Sequence, residues 1–302
     1  MTPVLLLAVP VLGAFLLPTL GRIRSGAPAV AGPGILVLHL ALTAMIGADV
    51  AQNGPRQVGL AGLDPPAAIA WQVDGLRLAF VAGLGALALL LWPRGGPAPA
   101  RTAALTLLLV GAGSGLALSA DLFNLFVLLE LVTLAALGLI VSDTRPAPAA
   151  AALRLLLLEA AASALALFGI ALVYAQTGTL NLAQLATVAP ETMAEPLRLT
   201  AFALLLTGFG VKAELFPVNT WVPEVYAAVP ARVAGLLAGG VSKVPLLAIL
   251  ALHTTAFAGE GAGILLLAVG AVTALAGGLA ALRATDWRRL LGYASMGQLG
   301  LV

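Results

Sequence analysis

G-F-G-V-K-A-E-L-F-P-V-N-T-W-V-P-E-V-Y, Gly208 to Tyr226, decides how this chain is read. A nonionic run from Leu199 to Val211 leads into Lys212, Glu214 follows two residues later, and Pro217 and Pro223 close the stretch. Composition says which solvent those charges sit in. Of the 302 residues, 61% are hydrophobic and 9% charged, with a mean hydropathy of +1.07. A soluble domain is about 25% charged, so this chain has too few charges to cover a water-facing surface. The composition predicts an all-α, polytopic membrane protein.

There are no cysteines, which removes disulfides, thiolate zinc sites and iron–sulfur ligation from this chain. Two histidines, His39 and His253, are a thin basis for a haem, because lone helix histidines are usually packed or hydrogen-bonded. No metal site and no cofactor is expected. The net charge of +2 is too small to signal nucleic acid, and the arginines sort by membrane side instead. Met1–Leu20 has no Lys or Arg ahead of its apolar stretch and another apolar segment follows soon after, so it reads as a first transmembrane helix and not as a signal peptide.

Ten apolar segments recur, at about 3–20, 29–48, 76–92, 102–119, 122–141, 150–175, 198–216, 231–253, 261–282 and 288–302. Most have the roughly 17–25 residues that cross a bilayer as a helix. The fourth and fifth nearly merge. One helix over both would be about 60 Å long at 1.5 Å per residue, so the chain must turn back, and S-A-D-L-F-N (Ser119–Asn124) supplies the polar break. Ten arginines, from Arg22 to Arg289 and including Arg94, lie in or beside the loops after odd-numbered segments. Only Arg56, Arg77 and Arg198 follow even-numbered ones, where most loop acids sit: Asp49, Asp64, Asp74, Asp121, Glu191, Glu195 and Glu260. The positive-inside rule then puts the odd loops in the cytoplasm and the N-terminus outside. N-L-A-Q-L-A (Asn181–Ala186) reads as a short interfacial helix, and the Gly/Pro-rich 48–75 stretch as an outside loop. The last segment is about 15 residues and stops without a polar tail, so the chain is read as a fragment or a product shorter than its relatives.

Five ionisable residues fall inside these segments: Glu130, Glu159, Lys212, Glu214 and Lys243. Left unpaired at the bilayer centre, each would cost about 2.5–3.5 kcal/mol. Glu130 and Lys243 are central in their segments, and Lys212 follows the nonionic run Leu199–Val211 ahead of the break expected at Pro217, so these three are the primary candidates for moving protons. Glu159 stands near Arg154 and reads equally well as a structural ion-pair partner. Glu214, near the expected helix break, either pairs with Lys243 or faces water, and His253 is carried as a further candidate. Pro217 and Pro245 cannot donate to the carbonyls of Ala213 and Val241, so each is expected to break its helix beside a lysine and leave a polar, hydrated pocket. A carboxylate about 6 Å from an ammonium, at an effective dielectric of about 20, contributes about 2.8 kcal/mol. Moving one charge through 100 mV takes about 2.3 kcal/mol. A glutamate–lysine pair is therefore matched to the membrane potential.

The same stretches resemble the antiporter-like membrane subunits shared by respiratory complex I, membrane-bound hydrogenases and Mrp-type antiporters. S-A-D-L-F-N-L-F-V-L-L-E-L (119–131) looks like the family's fifth helix, with its glutamate at Glu130. The opening stretch looks like the broken seventh helix, with its lysine at Lys212. V-P-A-R-V-A-G-L-L-A-G-G-V-S-K-V (229–244) is similar to the eighth, with its lysine at Lys243, and D-W-R-R-L-L-G-Y-A-S-M-G-Q-L-G (286–300) to the tenth. D-L-F-N-L-F-V and T-G-T-L-N-L-A-Q-L-A (177–186) look most like the Mrp-type D subunit. Asn219 stands where the family often has histidine, and Pro245 where it usually has glycine.

The resemblance implies helices 1–3 over residues 1–101, a complete five-helix repeat over 102–255 (helices 4–8), and the start of a second, inverted repeat over 256–302. It implies a proton-translocating subunit of a cation/proton antiporter or redox-driven pump, bound to other membrane subunits in a bacterial inner membrane, moving protons and leaving Na+ open as the exchanged ion. Two competing readings stand beside it: a non-transporting scaffold of such a complex, and a stand-alone carrier of a small solute.

Overall fold

The computed structural model describes residues 2–60, 68–93, 99–142 and 145–302, with the side chain of Pro146 also left aside. Asp64 and Arg94 lie outside the described residues. The described chain is helical nearly throughout. The first helices are α1 (Leu5–Ile23), α2 (Ala27–Asn53), α3 (Gly75–Leu90), α4 (Ala100–Leu118), α5 (Leu122–Ile140) and α6 (Pro146–Thr177). They are followed by α7 (Leu182–Thr192), α8 (Glu195–Lys212), α9 (Val222–Ala228), α10 (Ala231–Leu236), a π-helical turn (Leu237–Val241), α11 (Lys243–Thr255), α12 (Glu260–Leu282) and α13 (Trp287–Leu301). Each of the ten apolar segments falls on a helix or on a run of helices. Among the described residues, seven helical runs are long and apolar enough to cross a membrane. The chain is a multi-pass membrane protein.

Capping chemistry sets several boundaries. Asp74, Asp121, Asn181 and Asp286 each accept a backbone N–H of the helix that follows, satisfying donors the helix itself cannot. Gly178, at φ 67°, closes α6 in the left-handed conformation that glycine adopts at little cost. The helix foreseen around Asn181–Ala186 is α7, and Asn181 is its N-cap.

The 48–75 stretch differs from a simple loop. α2 runs on to Asn53, and a two-stranded antiparallel hairpin follows, β1 (Arg56–Gly59) paired with β2 (Ala70–Val73). β2 reaches the α4–α5 turn, where Ala120 N donates to Ala70 O at 2.9 Å. The buried guanidinium of Arg77 donates to Ala117 O and Ser119 O at 2.8 and 2.9 Å. The polar break at Ser119–Asn124 thus has its backbone groups satisfied by protein, as any non-helical backbone near hydrocarbon must.

α4 is the most enclosed helix, with fourteen of its nineteen residues buried. α12 is the opposite: only Ala262, Thr273 and Gly277 are buried. Small residues set the close crossings, as in membrane helix pairs generally. A Cβ on Gly277 would meet the backbone N of Gly297 at 2.5 Å, so α12 and α13 touch backbone to backbone. On α8, a Cβ on Gly208 would lie 2.8 Å from Ala162 O of α6. Gly208 is one turn before Lys212 and Ala162 about one turn after Glu159, so this contact fixes how near those two side chains come. Gly208→Val should push α6 and α8 apart and destabilise the protein by about 1–3 kcal/mol, the usual cost of overpacking; a lowered thermal unfolding midpoint of the purified protein checks this.

Candidate functional site

Lys212 is the last residue of α8 and is 1% exposed. Its ammonium donates to Glu130 Oε1 of α5 at 3.2 Å. It also makes an ion pair with Glu159 of α6, at close range but off the hydrogen-bonding direction. Ser163, four residues after Glu159 and on the same helix face, donates to Glu130 Oε1 at 2.6 Å. One ammonium and two carboxylates sum to −1, so one further proton makes the trio neutral. Such a trio can hold an exchangeable proton without leaving any of its members unpaired.

Two expectations change here. Glu159 does not pair with Arg154; Arg154 reaches Glu224 at 2.6 Å, and Glu159 belongs to the Lys212 site. Positions five apart lie about 140° around a helix from each other, so 154 and 159 face different neighbours. Glu130 is less enclosed than its central position suggested: its side chain is 34% exposed at the edge of the described chain, whereas Glu159 is buried.

The helix break follows Lys212 at once, ahead of Pro217. Glu214 sits at φ 57°, a left-handed conformation that an L side chain seldom adopts. The break is closed by side chains: Asn219 Nδ2 donates to Glu214 O at 2.9 Å and Trp221 Nε1 to Val211 O at 2.9 Å. Asn219 is therefore a backbone tie. Pro217 lies inside the non-helical link and does not start it.

Glu214 does not face water. It is fully buried, and three hydroxyls converge on its carboxylate. Tyr226 of α9 and Ser242 donate to Oε1, the latter at 2.6 Å, and Ser295 of α13 donates to Oε2 at 2.9 Å. Lys243 donates to Ser295 Oγ at 3.4 Å. A strained backbone persists where its surroundings over-determine it, and here the carbonyl and both carboxylate oxygens of Glu214 are held.

Pro245 does not break its helix. It falls in the first turn of α11, where a missing N–H costs nothing. The irregularity lies before it, in the π-turn, whose last bond runs from Ser242 N to Leu237 O at 3.2 Å. His253 lies outside both clusters. It is ten residues beyond Lys243, about 15 Å along α11, with its ring 6.0 Å from that of Phe202.

Residues 119–302 match the family described as NADH:quinone oxidoreductase/Mrp antiporter, transmembrane. The chain belongs to this family. The match begins at the α4–α5 turn and holds every residue of both clusters. Over 194 residues, the chain is 32% identical to the N subunit of an NADH-quinone oxidoreductase of Desulforudis audaxviator, covering 62% of this chain and 38% of that one. It is 36% identical over 194 residues to the D subunit of a probable K+/H+ antiporter of Rhizobium meliloti, covering 62% and 36%. Among solved structures it is similar to a chain of an archaeal membrane-bound sulfane sulfur reductase, with a TM-score of 0.91, 29% identity, and coverage of 99% of this chain and 63% of the other. The matched part is little more than a third of the length of these curated relatives.

Of the candidate site residues, Glu130, Glu159 and Lys212 form one cluster, and Glu214 and Lys243 meet through Ser295 in the other. Ser163, Tyr226, Ser242 and Ser295 were not singled out from sequence, though Ser242 adjoins Lys243 and Ser295 lies inside the quoted 286–300 motif. If the trio is a true charge network, Lys212→Met orphans two carboxylates and should destabilise by about 3–5 kcal/mol. Adding Glu159→Gln should recover part of that, a coupling of about 0.5–3 kcal/mol, readable from thermal unfolding of the purified single and double variants.

Proposed function

We propose that this chain is a proton-translocating, antiporter-like subunit of a larger complex in a bacterial inner membrane. The observation that carries the reading is Lys212: an ammonium buried at a helix break and shared by two carboxylates from two other helices. Family membership supports it. Such a lysine has no structural need for a second carboxylate, since one would neutralise it. The second acid creates a vacancy for one proton. A proton taken up by Glu130 or Glu159 leaves the ammonium with a single counter-charge, and Lys212 is then free to pass a proton inward, toward Lys243.

In this reading the ten apolar segments cross the membrane, the N-terminus lies outside, and segments four to eight (residues 102–255) form the translocating repeat. α1, α2 and α3 pack against α4 of this repeat, and 256–302 open the next repeat. Glu130, exposed at the chain's edge, is where another membrane subunit would adjoin the trio. Protons are the transported species, with Na+ a candidate for the exchanged cation, and any electron transfer belongs to partner subunits. Lys212→Ala, in the assembled complex reconstituted into vesicles, should reduce proton-coupled transport by at least about a hundredfold, the lower range for losing a positioned proton carrier. Normal assembly with unchanged transport would refute the reading.

A further inference from the structure

The Glu214 cluster holds more polar chemistry than closing a helix break requires. The backbone of the break is tied by Asn219 and Trp221, and Oε1 of Glu214 is anchored by Tyr226 and Ser242. Ser295 is different. It reaches the other carboxylate oxygen, from a helix that plays no part in closing the break, and it is the one hydroxyl of the three that also meets an ammonium. Its bonds run in one direction: Lys243 donates to Ser295, and Ser295 donates to Glu214. A cavity of about 450 Å³ opens on this chain of groups, lined by Lys243, Ser295, Tyr226 and Gln298, with Trp287 and Arg288 on its wall. At roughly 30 Å³ of liquid volume per water, it has room for several, beside polar partners.

We propose that Glu214 and Lys243 form a second proton-switching pair, with the Ser295 hydroxyl passing the proton between them. The inference rests on the proton-translocation reading above. In the transfer, an N–H bond of the Lys243 ammonium breaks as its proton bonds to Ser295 Oγ. The proton already on Oγ leaves for Glu214 Oε2. The ion pair becomes an amine and a carboxylic acid, the hydroxyl ends as it began, and total charge is unchanged. A buried ion pair is thereby exchanged for a neutral pair, which removes the main cost of holding charge in hydrocarbon. The neutral amine can then accept the next proton passed inward, handed on through cavity water that ends as it began. Glu214 is two residues from Lys212, at most about 7 Å between their Cα atoms, so the two clusters are joined through the backbone of the helix break. The lysine of each cluster then has its own carboxylate: Lys212 through direct contact, Lys243 through a hydroxyl of α13.

The test uses two isosteric variants in the assembled complex, S295T and S295V, with K212A alongside. Threonine keeps the hydroxyl; valine has the same shape and no proton to pass. Proton-coupled transport in vesicles should fall at least about tenfold in S295V, a modest share of what a positioned proton carrier contributes, and should be restored in S295T, with both co-purifying with partner subunits. Equal transport in the two variants, whether near wild type or equally reduced, would overturn the relay, because the hydroxyl would then not be the cause. If K212A loses transport while S295V matches S295T, the relay alone fails. If K212A transports normally, the parent reading fails and the relay with it.

Discussion

Lys212 cannot stand alone where it is. An ammonium 1% exposed inside an apolar helical bundle must meet counter-charge, and the chain brings two carboxylates to it from α5 and α6. That requirement reaches back into the packing. α6 and α8 approach closely because Gly208 leaves room for the Ala162 carbonyl, and the α4–α5 turn that aims α5 is tied by β2 and Arg77. It reaches forward as well. α8 ends at Lys212, so the residues that follow leave the helix and must have their backbone groups satisfied by Asn219 and Trp221.

The two clusters share a design principle without sharing a geometry. At Lys212 the charges touch. At Lys243 a hydroxyl stands between ammonium and carboxylate, and the carboxylate sits on a left-handed backbone residue that its own hydrogen bonds hold in place. Because Ser295 comes from α13, the second cluster depends on helices beyond residue 255. The close α12–α13 crossing at Gly277 and Gly297 is what gives α13 a fixed position from which to supply it.

Much of this was legible in the sequence, for identifiable reasons. Charges inside apolar segments have few uses, so Glu130, Lys212 and Lys243 stood out, and the polar break at 119–124 fell where the chain turns. What depended on tertiary packing was not legible. Arg154 is the nearest cation to Glu159 along the chain, but it lies on another face of α6 and goes to Glu224. Glu214 and Ser295 meet across 81 residues. The hydroxyls themselves look ordinary, since a serine in a membrane helix commonly bonds its own backbone. Proline misled in a different way: Pro217 and Pro245 mark the neighbourhoods of the irregular turns, yet α8 ends before the first, and the π-turn precedes the second.

In proton translocation through this site, the proton load of the Lys212 trio changes as the complex works. Infrared difference spectroscopy of the assembled complex in vesicles, between resting and energised states, reads this directly through the carbonyl stretch of protonated carboxyl groups. A carboxyl band should change on energisation and be lost or displaced in Glu159→Gln or Glu130→Gln. A difference spectrum identical in wild type and in both variants would contradict it.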